Sequence, residues 1–458
     1  MEGVNQSSFN FESTLDADCE SSTGGTDITS KLGVIIIPSR VATREKTSRP
    51  LWARGFLFIV KLKLRRIMKQ MIVGEQFLLL PGPTPVPERV VRAMSKPVIN
   101  HRGPEFRQIL GDVIEGVKQI YRTQHNVLIY PASGTGALEA AVVNFISPGD
   151  KVIAISIGVF GERFASIAAE FGARVEKIDF PWGEAADPEK IKEKINADIN
   201  HEIKAILITH NETSTGVCND IKTIRQAAGD HPALFMVDAV SSLAAADLYM
   251  DKWNLDVVVS GSQKAFMIPP GLSFMAFNDK ALQVYRQSRN YKYYWDVGKG
   301  LDYLEKGQTP FTPPVSLYYG LQEALHMMME ENLENVLARH MNYRHMVREA
   351  IKEMGLKLLA VDENASPALT SVIAPPEMGA NRIRQAMREE FNIVMAGGQQ
   401  RLDDVIFRIG HLGYVRELDL LSVLAALEII LVKLGFNLKI GTGVKKAQEI
   451  LLQTHKNV

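Results

Sequence analysis

A succession of short apolar runs, each leading into a helical pattern, constrains this chain more than any other feature. "NVLIY" (126–130), "KVIAIS" (151–156), "ARVEKI" (173–178), "IKAILIT" (203–209), "ALFMVD" (233–238), "LDVVVSG" (255–261) and "LSFMAF" (272–277) read as strands, and most are apolar almost throughout. A strand with no polar face must be covered on both sides, as in a parallel sheet between two helical layers. Helical patterns over 136–146, 160–172, 219–229 and 279–287 supply those layers. The expected fold is α/β, with a mostly parallel sheet and right-handed crossovers. A loop-rich stretch, 289–314, follows. Helical patterns over 315–333 and 334–355 come next, interrupted near Glu331 and Asn332. The remainder reads as a smaller α+β unit, with strands in "ALTSVIAPP", "IVMAGG" and "DVIFRIG" and helices over 379–391 and 415–435. The expected division is a large domain over 71–335 and a small one over 336–458.

Charge and cysteine content narrow the function classes. Fifty-two basic residues balance 52 acidic ones, so the whole chain carries no electrostatic footprint for nucleic acid. Cys19 and Cys218 are the only cysteines, too few for a disulfide framework or a cysteine zinc site, and suit a reducing compartment such as the cytoplasm. The histidines show no ligand-like spacing, so no metal is expected. No apolar run approaches the ~18 residues of a membrane span. Residues 1–70 differ from the rest, being polar and acidic first and basic from Arg40 onward. That order is the reverse of a targeting peptide, and the segment reads as a disordered leader or as sequence upstream of the true start.

In an open parallel sheet, ligands bind beyond the carboxyl ends of the strands. The residues after each strand are therefore the candidates for chemistry. "ASGTGALEA" (132–140) opens a helix with small residues and the hydroxyls of Ser133 and Thr135, which suits a phosphate. It lacks a third glycine for a dinucleotide fingerprint and a Gly-Lys-Ser/Thr for a P-loop. "HNETSTG" (210–216) is a polar turn. Asp238 ends one apolar strand, and Gln263 and Lys264 follow another. A carboxylate and an amine at buried strand ends are costly unless they are paired or used. Pyridoxal phosphate needs all of these groups: a lysine for its aldehyde, an acid facing its pyridine nitrogen, a phosphate cup and an aromatic on its ring. Phe160 in "GVFGERF" can supply the aromatic.

The stretches "LLLPGPTPVPERV", "SGTGALEAAVVN", "THNETSTGV", "VDAVSSL", "SGSQKAF" with "PPGL", "TPFTPPVSLYYGL" and "FRIGHLG" occur in order and mostly at strand ends. In these the chain resembles the class V aminotransferases, which are fold-type I pyridoxal-phosphate enzymes, and most of all their alanine–glyoxylate and serine–pyruvate branch. The resemblance runs from about residue 77 to about 435. It implies that Lys264 carries the cofactor and moves the substrate proton, and that Asp238 pairs with the pyridine nitrogen. Phe160 stands at the ring-stacking position, often tryptophan in relatives, so its stacking is weaker. Ser133, Gly134, Thr135 and Gln263 would hold the phosphate, and Thr213 the phenolic oxygen. Thr309 and Thr312 match positions that reach a neighbouring subunit's phosphate, which implies a homodimer. Arg408 would clamp the substrate carboxylate, with the backbone at Gly82 lining the same pocket. Arg102, in "NHRGPEF", is a candidate for a second substrate carboxylate or a surface or interface arginine.

The implied reaction is ping-pong transfer of an amino group from a small L-amino acid (alanine, serine or aspartate) to a 2-oxo acid such as glyoxylate or pyruvate. A ureidoglycine–glyoxylate aminotransferase is the alternative. A cysteine desulfurase would need a cysteine on a late loop, and none follows Cys218. A non-catalytic binding protein of this fold would have no use for Lys264.

Overall fold

The computed structural model describes residues 76–456. The expected leader, 1–70, lies outside them. The apolar runs form a seven-stranded sheet built from β2 (Asn126–Tyr130), β3 (Lys151–Ser156), β4 (Arg174–Asp179), β5 (Ile203–Thr209), β8 (Leu234–Asp238), β9 (Val257–Gly261) and β10 (Ser273–Phe277). Their order is β2-β10-β9-β8-β5-β3-β4. All neighbouring pairs are parallel except those of β10, which runs antiparallel to both β2 and β9. Between β5 and β8 the chain makes a small hairpin, β6 (Asn211–Glu212) with β7 (Val217–Cys218).

The two faces of the sheet feed two apolar layers. Ile153, Ile155, Ile206, Ile208, Val258 and Phe274 pack on one side. Their alternates Val152, Ala154, Ala205, Leu207, Val257, Val259 and Met275 pack on the other, against helices Gly134–Phe145 and Val159–Glu170. Burial on both faces explains why these strands show no alternation in the sequence. Edge strand β4 is the exception. It carries Arg174, Glu176, Lys177 and Asp179 and is largely solvated, which blunts an edge that would otherwise pair with another chain.

A second sheet has the order β1-β13-β14-β12-β11, from β1 (Phe77–Leu79), β11 (Lys357–Leu358), β12 (Leu369–Ile373), β13 (Ile393–Gly397) and β14 (Ile406–Gly410). It is antiparallel except where β1 joins β13 in parallel. Its core is shared with helices Leu333–Glu353, Ala380–Phe391, Glu417–Lys433 and Thr442–Lys456. The break expected near Glu331 and Asn332 is real. Helix Val315–Glu331 ends there, Asn332 has φ 72°, and its side chain accepts the Glu334 amide to start the next helix. The stretch 289–314 is not all loop. It contains helix Val297–Leu304, begun by the Asp296 carboxylate accepting the Lys299 amide. Helices Pro104–Tyr121, Pro188–Asn196 and Ile221–Ala227 on one face, and Asp279–Gln287 on the other, add to the covering of the large sheet.

Candidate active site

Because β2, β3, β5, β8 and β9 run in one direction, their carboxyl ends meet at one edge of the sheet. A partly open cavity of about 180 Å³ lies there. Ser133, Gly134, Thr135, Phe160, Thr213, Asp238, Gln263 and Lys264 all line it. Eight residues expected at the site from sequence are thus brought together from five strand ends.

One wall is the start of helix Gly134–Phe145. Its first amides have no partner within the helix, and Ser133 makes no capping bond with its side chain. A β-carbon at Gly134 would sit 2.6 Å from Val240 Cγ2, so only glycine lets the helix start approach the β8 turn. Gln263 faces the same wall, and its Oε1 is buried without a partner.

Asp238 and Lys264 bring charge to the same cavity. Asp238 is buried, and its Oδ1 accepts the Val240 amide at 2.9 Å. Burial pushes its carboxyl up to about 6, and nearby Glu212 adds to the shift, while the Val240 bond, Lys264 and Arg163 oppose it. Lys264 donates from its amine to the Pro81 carbonyl. Burial lowers its pKa to about 8, Asp238 opposes that, and Arg408 and Arg163 reinforce it. Gly82 presses on this lysine. It has φ +107°, and a β-carbon there would lie 2.6 Å from Lys264 Nζ. The Thr84 amide donates to the Gln263 carbonyl at 3.2 Å, and its hydroxyl to the Lys264 carbonyl at 3.0 Å, which ties segment 81–84 to the lysine turn. The Thr213 and Ser241 hydroxyls are 2.7 Å apart, and Asn211 Nδ2 donates to Ser241 Oγ at 2.9 Å.

Arg408 comes from β14 of the second sheet and is buried. Its Nε donates to the Gly397 carbonyl at 2.8 Å and its Nη1 to the Thr213 carbonyl at 2.6 Å. Burial lowers its pKa to about 10, with Glu212 opposing and Arg384 adding to the shift. It therefore stands behind Thr213 with a fixed orientation.

Five expected residues do not line this cavity: Gly82, which lies against Lys264, Arg408, which lies behind Thr213, and Arg102, Thr309 and Thr312. Arg102 donates to Gln308 Oε1 at 2.9 Å and to the carbonyls of Thr309 and Pro310 at 2.7 and 3.4 Å. Thr309 lines a separate, mainly apolar cavity, and its hydroxyl bonds the Phe311 carbonyl at 2.8 Å. Thr312 is exposed.

Sequence reasoning passed over two residues. Glu212 was visible only as part of a polar turn. It is fully buried and accepts the amides of Phe160, at 3.1 Å, and Gly161, at 3.0 Å. With Ser214 Oγ accepting the Val159 amide at 3.0 Å, it caps the helix that presents Phe160. Burial raises its carboxyl pKa, while bonds from Ser214 and the two helix amides oppose the rise. Arg163 also lines the cavity, three residues after Phe160 and on the same helical face. That spacing in "GVFGERF" was the available signal.

The family model Aminotransferase class-V matches residues 76–416. The chain belongs to the class V aminotransferases. This class V aminotransferase is 47% identical to the soluble hydrogenase 42 kDa subunit of Anabaena cylindrica, covering 81% of this chain and 98% of that one. It is 39% identical to the L-aspartate–glyoxylate aminotransferase of Paracoccus denitrificans, covering 82% and 96%. Among solved structures it is similar to the ureidoglycine–glyoxylate aminotransferase of Bacillus subtilis, with a TM-score of 0.78 and 29% identity, covering 83% and 99%. The fold is that of the fold-type I pyridoxal-phosphate enzymes, and this class V aminotransferase is a pyridoxal-phosphate-dependent transaminase. Among the described residues, no helix is long and apolar enough to cross a membrane, and no group of three His, Cys, Asp or Glu side chains could hold a metal ion.

Proposed function

We propose that the cavity at the strand ends holds pyridoxal phosphate, and that there the protein transfers an amino group from a small L-amino acid to a 2-oxo acid such as glyoxylate or pyruvate. The observation that carries this is that Lys264, just after β9, and buried Asp238, at the end of the neighbouring β8, both face one cavity, each with its charged form disfavoured by burial. The residues fit the group. The uncapped helix start beside Ser133 offers amide donors to an anion, and Gln263, whose side-chain amide lines the same cavity, would donate to it from Nε2.

When bound, pyridoxal phosphate supplies an electron sink for the negative charge left when the substrate α-proton is removed. Lys264 would hold its aldehyde carbon, and its free amine would take the substrate α-proton. A neutral amine is required for that, and burial provides it near pH 8. Asp238 would face the pyridine nitrogen, where a cation offsets the penalty of burying its charge. Phe160 would cover the ring, Thr213 bond the phenolic oxygen, and Ser133, Gly134, Thr135 and Gln263 hold the phosphate. Arg408, oriented by the Gly397 and Thr213 carbonyls, would take the substrate carboxylate, with the Gly82 backbone beside it. Thr309, Thr312 and Arg102 stay outside the cavity of their own chain. That placement favours a homodimer in which they complete the site of a second copy, Arg102 there reading a side-chain carboxylate; the two cysteines of the chain are what favour a cytoplasmic location. Cys218, its thiol pushed up to about 12 by burial, offers no nucleophile for desulfuration.

Alanine, serine and aspartate are the proposed donors, in keeping with the named activity of the Paracoccus relative. The likeness to the Bacillus structure makes ureidoglycine the second reading. The purified protein should be yellow, and borohydride reduction should fix the cofactor on Lys264, seen by peptide mass. No uptake of cofactor, or label on another lysine, would refute the site. A matrix of these four donors against glyoxylate, pyruvate and 2-oxoglutarate then selects the pair.

A further inference from the structure

We infer that Arg163 is the cation that neutralises the cofactor's phosphate within this chain. The inference rests on the proposed site and adds a residue to it. The charged side chains among the described residues lining the cavity are Arg163, Asp238 and Lys264. The proposed site commits Lys264 to the aldehyde carbon and Asp238 to the pyridine nitrogen. The cup itself, Ser133, Gly134, Thr135 and Gln263, is neutral. A phosphate monoester carries a charge of about −1.5 to −2 at neutral pH, and neutral donors leave most of it uncompensated in a partly buried pocket.

Arg163 is placed to meet that charge. Its Nη1 donates to Thr135 Oγ1 at 3.4 Å, on the rim of the cup. Its guanidinium lies over the Phe160 ring, 4.7 Å from the centroid. It therefore bridges the residue proposed to cover the ring and one proposed to hold the phosphate. The long Thr135 contact is a weak bond that a phosphate oxygen would outcompete, since guanidinium–phosphate bonds are charge-assisted and match in geometry. Stacking on Phe160 restricts the side chain in advance, which lowers the ordering cost of binding. Arg163 and Phe160 thus act as a unit, three residues apart on a helix whose start is capped by Glu212 and Ser214.

The test compares pyridoxal phosphate with pyridoxal, which lacks the phosphate, on the full-length protein freed of cofactor. Dissociation constants are read from the visible absorbance of the bound cofactor, with wild type, Arg163→Gln and Arg163→Lys. Loss of one charge-assisted contact predicts about tenfold weaker pyridoxal phosphate binding in Arg163→Gln. Pyridoxal binding should change by less than about twofold, and Arg163→Lys, which keeps the charge but loses the planar fork and the stacking, should recover only part of the loss. The phosphate's ³¹P resonance gives a second readout, with protonation setting in at higher pH in Arg163→Gln than in wild type. Unchanged pyridoxal phosphate affinity in Arg163→Gln, or an identical ³¹P titration, overturns the inference. So does equal loss for both ligands, which would mean that Arg163 only packs on Phe160. Failure of the wild type to take up pyridoxal phosphate is a different result and overturns the cofactor site itself.

Discussion

Removing the Glu212 carboxylate should loosen the helix that presents Phe160. In Glu212→Ala, the buried amides of Phe160, Gly161 and Ser214 lose an acceptor that now lies 3.0–3.1 Å away. A buried donor left unpaired costs about 1–3 kcal/mol, and loss of a helix cap about 1 kcal/mol. The full sum is not expected, because the buried carboxylate carries a desolvation penalty of its own that alanine removes. The net loss is about 3–4 kcal/mol. With a denaturant slope of about 3 kcal/mol/M, this corresponds to a urea midpoint lower by about 1 M. Glu212→Gln keeps one acceptor oxygen and the volume, so about half the shift is expected. The assay is urea unfolding of the cofactor-free protein by circular dichroism, with cofactor affinity measured in parallel. A midpoint shift below about 0.3 M for Glu212→Ala, or a glutamine variant as damaged as the alanine variant, would refute the capping argument.

Three further outcomes follow from the same geometry. In the cofactor-free protein, modification of Lys264 by an amine reagent should rise with a midpoint near pH 8 rather than 10.5, and Asp238→Asn should move it lower by removing the charge that holds the proton. Since the folded pKa lies below the unfolded one, the stability contributed by Lys264 is gained as pH rises from about 8 to 10.5; a midpoint unmoved from 10.5, read by mass spectrometry, would contradict the burial argument. Gly82→Ala places a methyl group 2.6 Å from Lys264 Nζ at a φ of +107°, so it should weaken cofactor uptake about tenfold or more in an absorbance titration. Arg408→Lys cannot keep both the Gly397 and the Thr213 bonds while offering two parallel donors; the donor KM should rise about tenfold or more with cofactor affinity little changed, and steady-state kinetics with an absorbance titration check this.

The large sheet was legible because its strands are buried on both faces. Continuous apolar runs left little room for misplacement, and β2, β3 and β5 start and stop where the runs do. Asp238 and Lys264 were legible because an ionisable group ending an apolar strand calls for an explanation. Helix Val297–Leu304 was hidden in a segment of aromatics and glycines with little helical periodicity, and Asp296 was its only local start signal.

What the sequence determined by itself is the layered fold, and which strand ends bear polar groups, since both depend on local pattern. The pairing of β1 with β13, and the placing of Arg408 behind Thr213, join segments far apart in the chain and follow only from how the two sheets are built. Glu212 and Arg163 show the same limit. A glutamate in a turn and an arginine on a helix look solvated in sequence. Only tertiary packing buries one beneath a helix start and turns the other toward the cup, because burial and direction are properties of neighbours that the local pattern does not contain.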